Sequence, residues 1–76
     1  MQKLSAEELL AQYARGRRDF REVDLTAAYL FEANLAEIDL TGSDLTNAHL
    51  PYADLSQATL QDTVLTNVEL SNSQLY

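Results

Sequence analysis

Counting in fives from Phe20 lands on Leu25, Leu30, Leu35, Leu40, Leu45, Leu50, Leu55, Leu60, Leu65, Leu70 and Leu75 without a miss. The chain has fourteen leucines, and all eleven that follow Leu10 fall on this register. Two residues before the marks stand Val23, Ala28, Ala33, Ile38, Ser43, Ala48, Ala53, Ala58, Thr63, Val68 and Ser73, all small or β-branched; Arg18, before Phe20, is the exception. The residue just before the mark is Asp or Asn in half the units: Asp19, Asp24, Asn34, Asp39, Asp44 and Asp54. The two remaining positions are polar or variable. A period of five matches neither the 3.6 of a helix nor the 2.0 of a strand, so no ordinary amphipathic element accounts for it. Repetition this strict predicts a stacked array in which each unit contacts its neighbours.

Two inward residues separated by one outward residue describe a short extended stretch followed by a turn. Four such sides return the chain to its start after twenty residues, and successive coils then stack through backbone ladders at about 4.8 Å. Leucine stacks on leucine, and the small residue at the second inward site leaves room for it. The units Ala33-Asn34-Leu35 and Ala53-Asp54-Leu55 show the motif Ala-(Asp/Asn)-Leu-x-x, and the pattern resembles the pentapeptide-repeat proteins over residues 18–76. The resemblance implies an all-β fold, a right-handed quadrilateral parallel β-helix of about three coils.

Residues 1–17 differ in kind and are read as a separate capping segment, with 18–76 as the β-helix. Ser5-Ala6-Glu7-Glu8 forms a capping box, with Leu4 and Leu9 at hydrophobic-staple spacing. Leu9, Leu10, Tyr13 and Ala14 make an apolar stripe, and Gly16 suits a left-handed helix end. These signals predict a helix over 5–15, laid across the first coil as an α-helical cap. Tyr13, Gly16 and Arg18-Asp19-Phe20 make this segment similar to the start of short cyanobacterial-type members of the family.

Composition narrows the chemistry. The 76 residues include no Cys, which excludes disulfides, iron–sulfur clusters and thiolate zinc sites, and a single His. His49 stands at an outward position with its same-type neighbours Asp44 and Asp54 a whole face away, so no triad is implied. The only glycines, Gly16 and Gly42, make no phosphate loop. No enzyme activity, cofactor or metal is expected. The net charge is −7, which argues against direct binding to nucleic acid or to an anionic membrane. No membrane span or signal segment is visible, and the cytoplasm is the default compartment.

The charge is uneven. Residues 1–18 carry four Lys or Arg against two Glu, while residues 19–76 carry Arg21 against ten Asp or Glu. At a spacing of twenty, Asp19 lies under Asp39 and Asp24 under Asp44, so like charges stack and Arg17, Arg18 and Arg21 are the expected compensators. Some pentapeptide-repeat proteins are acidic rods that imitate DNA and occupy topoisomerases such as gyrase, and the resemblance raises that alternative. Three coils make only about 15 Å, less than half of a B-DNA turn of about 34 Å.

Two surfaces are candidates for contact. The first is an exposed aromatic patch of Tyr29, Phe31, His49, Pro51 and Tyr52. The second is the last coil, where Leu60, Leu65, Val68, Leu70 and Leu75 have no lid corresponding to the helix. An open ladder edge invites pairing, and the expectation is a homodimer through this face or an unidentified protein partner. A fragment or tail of a larger repeat-containing protein would carry the same open edge. The function expected is a non-enzymatic scaffold or protein-interaction module.

Overall fold

The computed structural model describes residues 1–75. Regular secondary structure is confined to three short elements: strand β1, Gln2–Lys3; helix α1, Ala6–Ala14; and strand β2, Val23–Asp24. β1 and β2 pair in parallel, with Gln2 opposite Val23 and Lys3 opposite Asp24. The rest of the chain is joined by eight isolated parallel bridges: Asp19 to Asp39, Asp24 to Asp44, Tyr29 to His49, Asn34 to Asp54, Asp39 to Thr59, Asp44 to Val64, His49 to Glu69 and Asp54 to Gln74. Each joins residues twenty apart, and they fall at four phases five residues apart. The chain therefore coils back on itself through four sides, as the spacing predicts. The bridges do not extend into longer strands. Two of every five residues form a turn, leaving too few in each side for a conventional strand.

The turns explain how five residues suffice. The carbonyl of Leu25 accepts from the Ala28 N–H at 3.1 Å, and the same bond recurs from Ile38 to Leu35, Ala48 to Leu45 and Ala58 to Leu55. Every fifth residue from Glu22 to Asn72 has a positive φ, between 55° and 71°. A left-handed third residue is the mark of a type II turn. None of the eleven residues at this position is β-branched, which fits the steric cost of the left-handed region for such side chains.

The interior is the predicted leucine column. Phe20 and the leucines from Leu25 to Leu55 are buried, with Val23, Ala33, Ile38, Ser43, Ala48 and Ala53 beside them. Burial falls off at the far end, where Leu60, Val68 and Leu70 are only half-buried and Leu65 and Leu75 are exposed.

The helix begins as its sequence predicts. Ser5 is the N-cap, its hydroxyl accepts from the Glu8 N–H at 3.0 Å, and the Glu8 carboxylate accepts from the Ser5 N–H at 2.9 Å. Gly16, with φ 104°, follows the C-cap Arg15. The Gly16 N–H bonds to the Tyr13 carbonyl and the Arg17 N–H to the Gln12 carbonyl, the two bonds of a Schellman ending. Leu4 and Leu9 are buried in the same core as Phe20 and Leu25. The buried stripe is narrower than predicted. It runs through Ala6, Leu9 and Tyr13, while Leu10 is 37% exposed and Ala14 faces solvent. Leu10 lies about 100° around the helix from Leu9, beyond the face that meets the coil. The Tyr13 hydroxyl donates to the Ala36 carbonyl at 2.8 Å and fixes the helix to a turn of the coil.

Candidate functional site

Residues twenty apart stack, so the aromatic residues gather on one side and its corner. Tyr29 bridges to His49, with their rings 6.1 Å apart. The Phe31 ring stacks against Tyr29 at 6.3 Å and an interplanar angle of 20°. It also meets Tyr52 edge-on, at 5.9 Å and 83°. Tyr29, Phe31 and Tyr52 remain 61%, 49% and 55% exposed. His49 is also exposed and Pro51 half-buried. Tyr29, Phe31, His49 and Tyr52 are thus brought together by ring contacts, and Pro51, whose carbonyl accepts from the Glu32 N–H, lies on the ladder beside them. Glu69, twenty residues above His49, bridges to it; this carboxylate neighbour lies outside the pair of aspartates, Asp44 and Asp54, considered from the sequence. The Ser71 hydroxyl and N–H, with a smaller attraction from His49, hold the Glu69 carboxyl below its ordinary value.

The second surface is the far edge of the coil. In the coil beneath it, the N–H groups of Leu40, Gly42, Leu45, Asn47, Leu50 and Tyr52 each donate to a carbonyl one coil further on. The equivalent groups of Leu60, Asp62, Leu65, Asn67, Leu70 and Asn72 have no such partner among the described residues. Half-buried Leu60, Val68 and Leu70 and exposed Val64, Leu65 and Leu75 lie beside this row. The result is a ladder edge flanked by apolar side chains, the combination that invites pairing.

The aspartates have a local task. Oδ1 of Asp24, Asp39 and Asp44 accepts both the N–H and the hydroxyl of the Thr two residues on, the hydroxyl at 2.6–2.7 Å. Asp54 does the same with Ser56. These side chains shape the entry to each turn. The Thr41 hydroxyl and N–H lower the Asp39 carboxyl, the Thr26 N–H and hydroxyl lower Asp24, and the Ser56 hydroxyl and N–H lower Asp54. Arg21 pairs with Asp19 at 3.0 Å and brings its carboxyl down to about 2. Compensation of the stacked aspartates is partly as predicted. Arg21 also acts on Asp39, but Asp24 draws on Lys3, 3.7 Å away in β1. Arg17 adds a smaller attraction to Asp19 while lying over the Phe20 ring at 4.3 Å, and Arg18 instead lies over the Tyr13 ring at 3.7 Å.

A buried hydroxyl was not legible as polar chemistry. Ser43 occupies the small inward site, fully buried. Its hydroxyl accepts from the Val23 N–H at 3.1 Å and donates to the Phe20 carbonyl at 2.8 Å. It thereby links the ends of the Phe20 turn from the coil above. Thr63 and Ser73 donate in the same way to the carbonyls of Leu40 and Leu50. Each donor lies 23 residues after its acceptor. A serine or threonine at this slot, read against the residue 23 positions earlier, is the signal.

A concave surface of about 590 Å³ is lined by Arg17, Asp19, Arg21, Glu22, Thr41, Gly42 and Asp62. Among the described residues no group of three or more His, Cys, Asp or Glu is placed to hold a metal ion. No helix among them is long and apolar enough to cross a membrane. The family model for pentapeptide repeats matches in 8 copies, over residues 24–62 and 45–76. No curated protein matches the chain.

Proposed function

The chain belongs to the pentapeptide-repeat family, and from that premise we propose that it is a non-enzymatic protein-interaction module built on a right-handed β-helix of about three coils. The observation that carries this reading is the row of N–H groups from Leu60 to Asn72 without partners among the described residues, beside Leu65 and Leu75. A second copy of this chain is the occupant that fits. The helix covers the opposite end of the core through Leu4 and Leu9, so the two open edges meet each other in a closed, two-fold arrangement. The shared area is small, below about 1,200 Å², which makes the affinity modest.

Sedimentation from micromolar to millimolar protein tests it. The expected outcome is a concentration-dependent dimer that Leu65→Arg shifts to monomer while the far-UV β signal is kept. Leu65 is exposed, so the substituted charge stays in water unless the edges pair. Wild-type protein that remains monomeric at millimolar concentration overturns the dimer. The acidic surface also favours a second reading, a DNA-mimicking regulator of a topoisomerase. Its support is weaker, because the molecule measures 26 × 23 × 22 Å, short of one B-DNA turn of about 34 Å.

A further inference from the structure

We propose that the strip formed by Tyr29, Phe31 and Tyr52 binds an arginine-bearing segment of a partner protein, its guanidinium groups lying on the rings between Glu32 and Glu69. The charge around the strip points to this chemistry. The Glu32 N–H donates to the Pro51 carbonyl, which sets Glu32 beneath Tyr52, and Glu69 is bridged to His49. Arg21 is the sole Lys or Arg after residue 18, and it is held by Asp19. The protein also shows what its own aromatic rings attract. Arg17 lies over Phe20 and Arg18 over Tyr13, both close enough for a cation–π contact. Among the described residues no cation lies over Tyr29, Phe31 or Tyr52. Their rings are exposed and packed in series, Tyr29 on Phe31 and Phe31 on Tyr52, and Glu32 and Glu69 occupy neighbouring positions of the ladder.

The strip is fixed in place before any partner arrives. The Leu30 N–H donates to the His49 carbonyl at 2.7 Å and the Tyr52 N–H to the Ser71 carbonyl at 2.8 Å. A surface held this way loses little freedom on binding. Arginine suits it better than lysine, because its flat guanidinium stacks on a ring while donating to a carboxylate at its edge.

The inference rests on the reading of the chain as an interaction module but not on the open ladder edge. An amide NMR titration with an octa-arginine peptide at physiological salt tests it, with octa-lysine and octa-glutamate as comparators. Saturable shifts are expected at residues 29–32, at His49, Leu50 and Tyr52, and at residues 69–72, strongest with octa-arginine and absent with octa-glutamate. The double variant Phe31→Ala, Tyr52→Ala should bind about tenfold more weakly. Phe31→Tyr, which keeps an aromatic ring at that position, should bind as the wild type does, and Glu32→Gln should weaken binding with all rings in place. Monomeric Leu65→Arg protein should bind undiminished, which separates this outcome from that of the dimer. Shifts spread over acidic residues of all four sides would overturn the proposal. So would equal affinity of the double variant, or no binding. Strip signals that move with protein concentration alone would assign the strip to a second copy and overturn it equally.

Discussion

The Ser43 hydroxyl sits where Ala33, Ala48 and Ala53 hold a methyl group, and it closes a turn that lacks its own backbone bond. Ser43→Ala removes an acceptor from the Val23 N–H and a donor from the Phe20 carbonyl. The expected cost is about 1–3 kcal/mol, measured by urea denaturation. This role was hidden in the sequence because the slot also takes Ala, Val, Ile and Thr, which share little but modest size. Only the stacking of coils reveals what lies above what. The aspartates are half-legible: their period is plain in the sequence, but their pairing with Thr26, Thr41, Thr46 and Ser56 two residues on emerges only from the geometry of the turn. The pairing has a pH consequence. The carboxyls of Asp19, Asp24, Asp39, Asp54 and Glu69 titrate below their ordinary values in the folded protein. Their contribution is therefore present above the unfolded values near pH 4 and is lost as pH falls through the folded ones, towards about 2 for Asp19. Relief of the net charge of −7 acts the other way but is spread out and screened at 0.15 M salt, where the Debye length is about 8 Å. Melting temperature in that salt should hold from pH 7 to about 5 and fall steadily below about 4. A rise at pH 3 would show that repulsion outweighs these bonds.

At the scale of elements, helix α1 shows how much a cap sequence can specify. Ser5, Glu8 and Gly16 mark both ends, and the ordered bonds follow them. The face of the helix was less legible than its ends. Nine residues with Leu at both 9 and 10 leave the buried direction open until the coil is in place. Leu9 is fully buried, so Leu9→Lys would bury a charge with no partner and should unfold the protein. Leu10→Lys, on the exposed flank, should change stability by no more than about 0.5 kcal/mol. Thermal melts of the two variants check the assignment, and equal losses would contradict it. β1 was not legible at all. It is two residues long and lies outside the five-residue register, and its pairing offset of 21, from Gln2 to Val23, departs from the twenty used everywhere else. Lys3 nonetheless turns that strand into a local counter-charge for Asp24.

Across the whole molecule, the coil was legible because its one rule is repeated at every unit. The two candidate surfaces are the places where the rule leaves something over: large rings on outward positions, and a row of leucines with none of the described residues stacked above. The aromatic strip was legible once a spacing of twenty was assumed, since that spacing alone places His49 on Tyr29 and Pro51 on Phe31. The Glu69 neighbour needed the spacing of twenty to be followed one step beyond His49. A further consequence follows from the left-handed turn at every fifth residue. The inside of this protein counts in fives and its outside counts in twenties. Excision of residues 36–40 would leave each later leucine on a leucine column, so the interior would scarcely register the loss. Every later side would nonetheless be rotated by a quarter of a circuit. Asp54 would then sit on Tyr29, and His49 would sit on Asp24. The same interior would carry a different exterior, and a loss of five residues would act on recognition as a rearrangement of the entire surface beyond it.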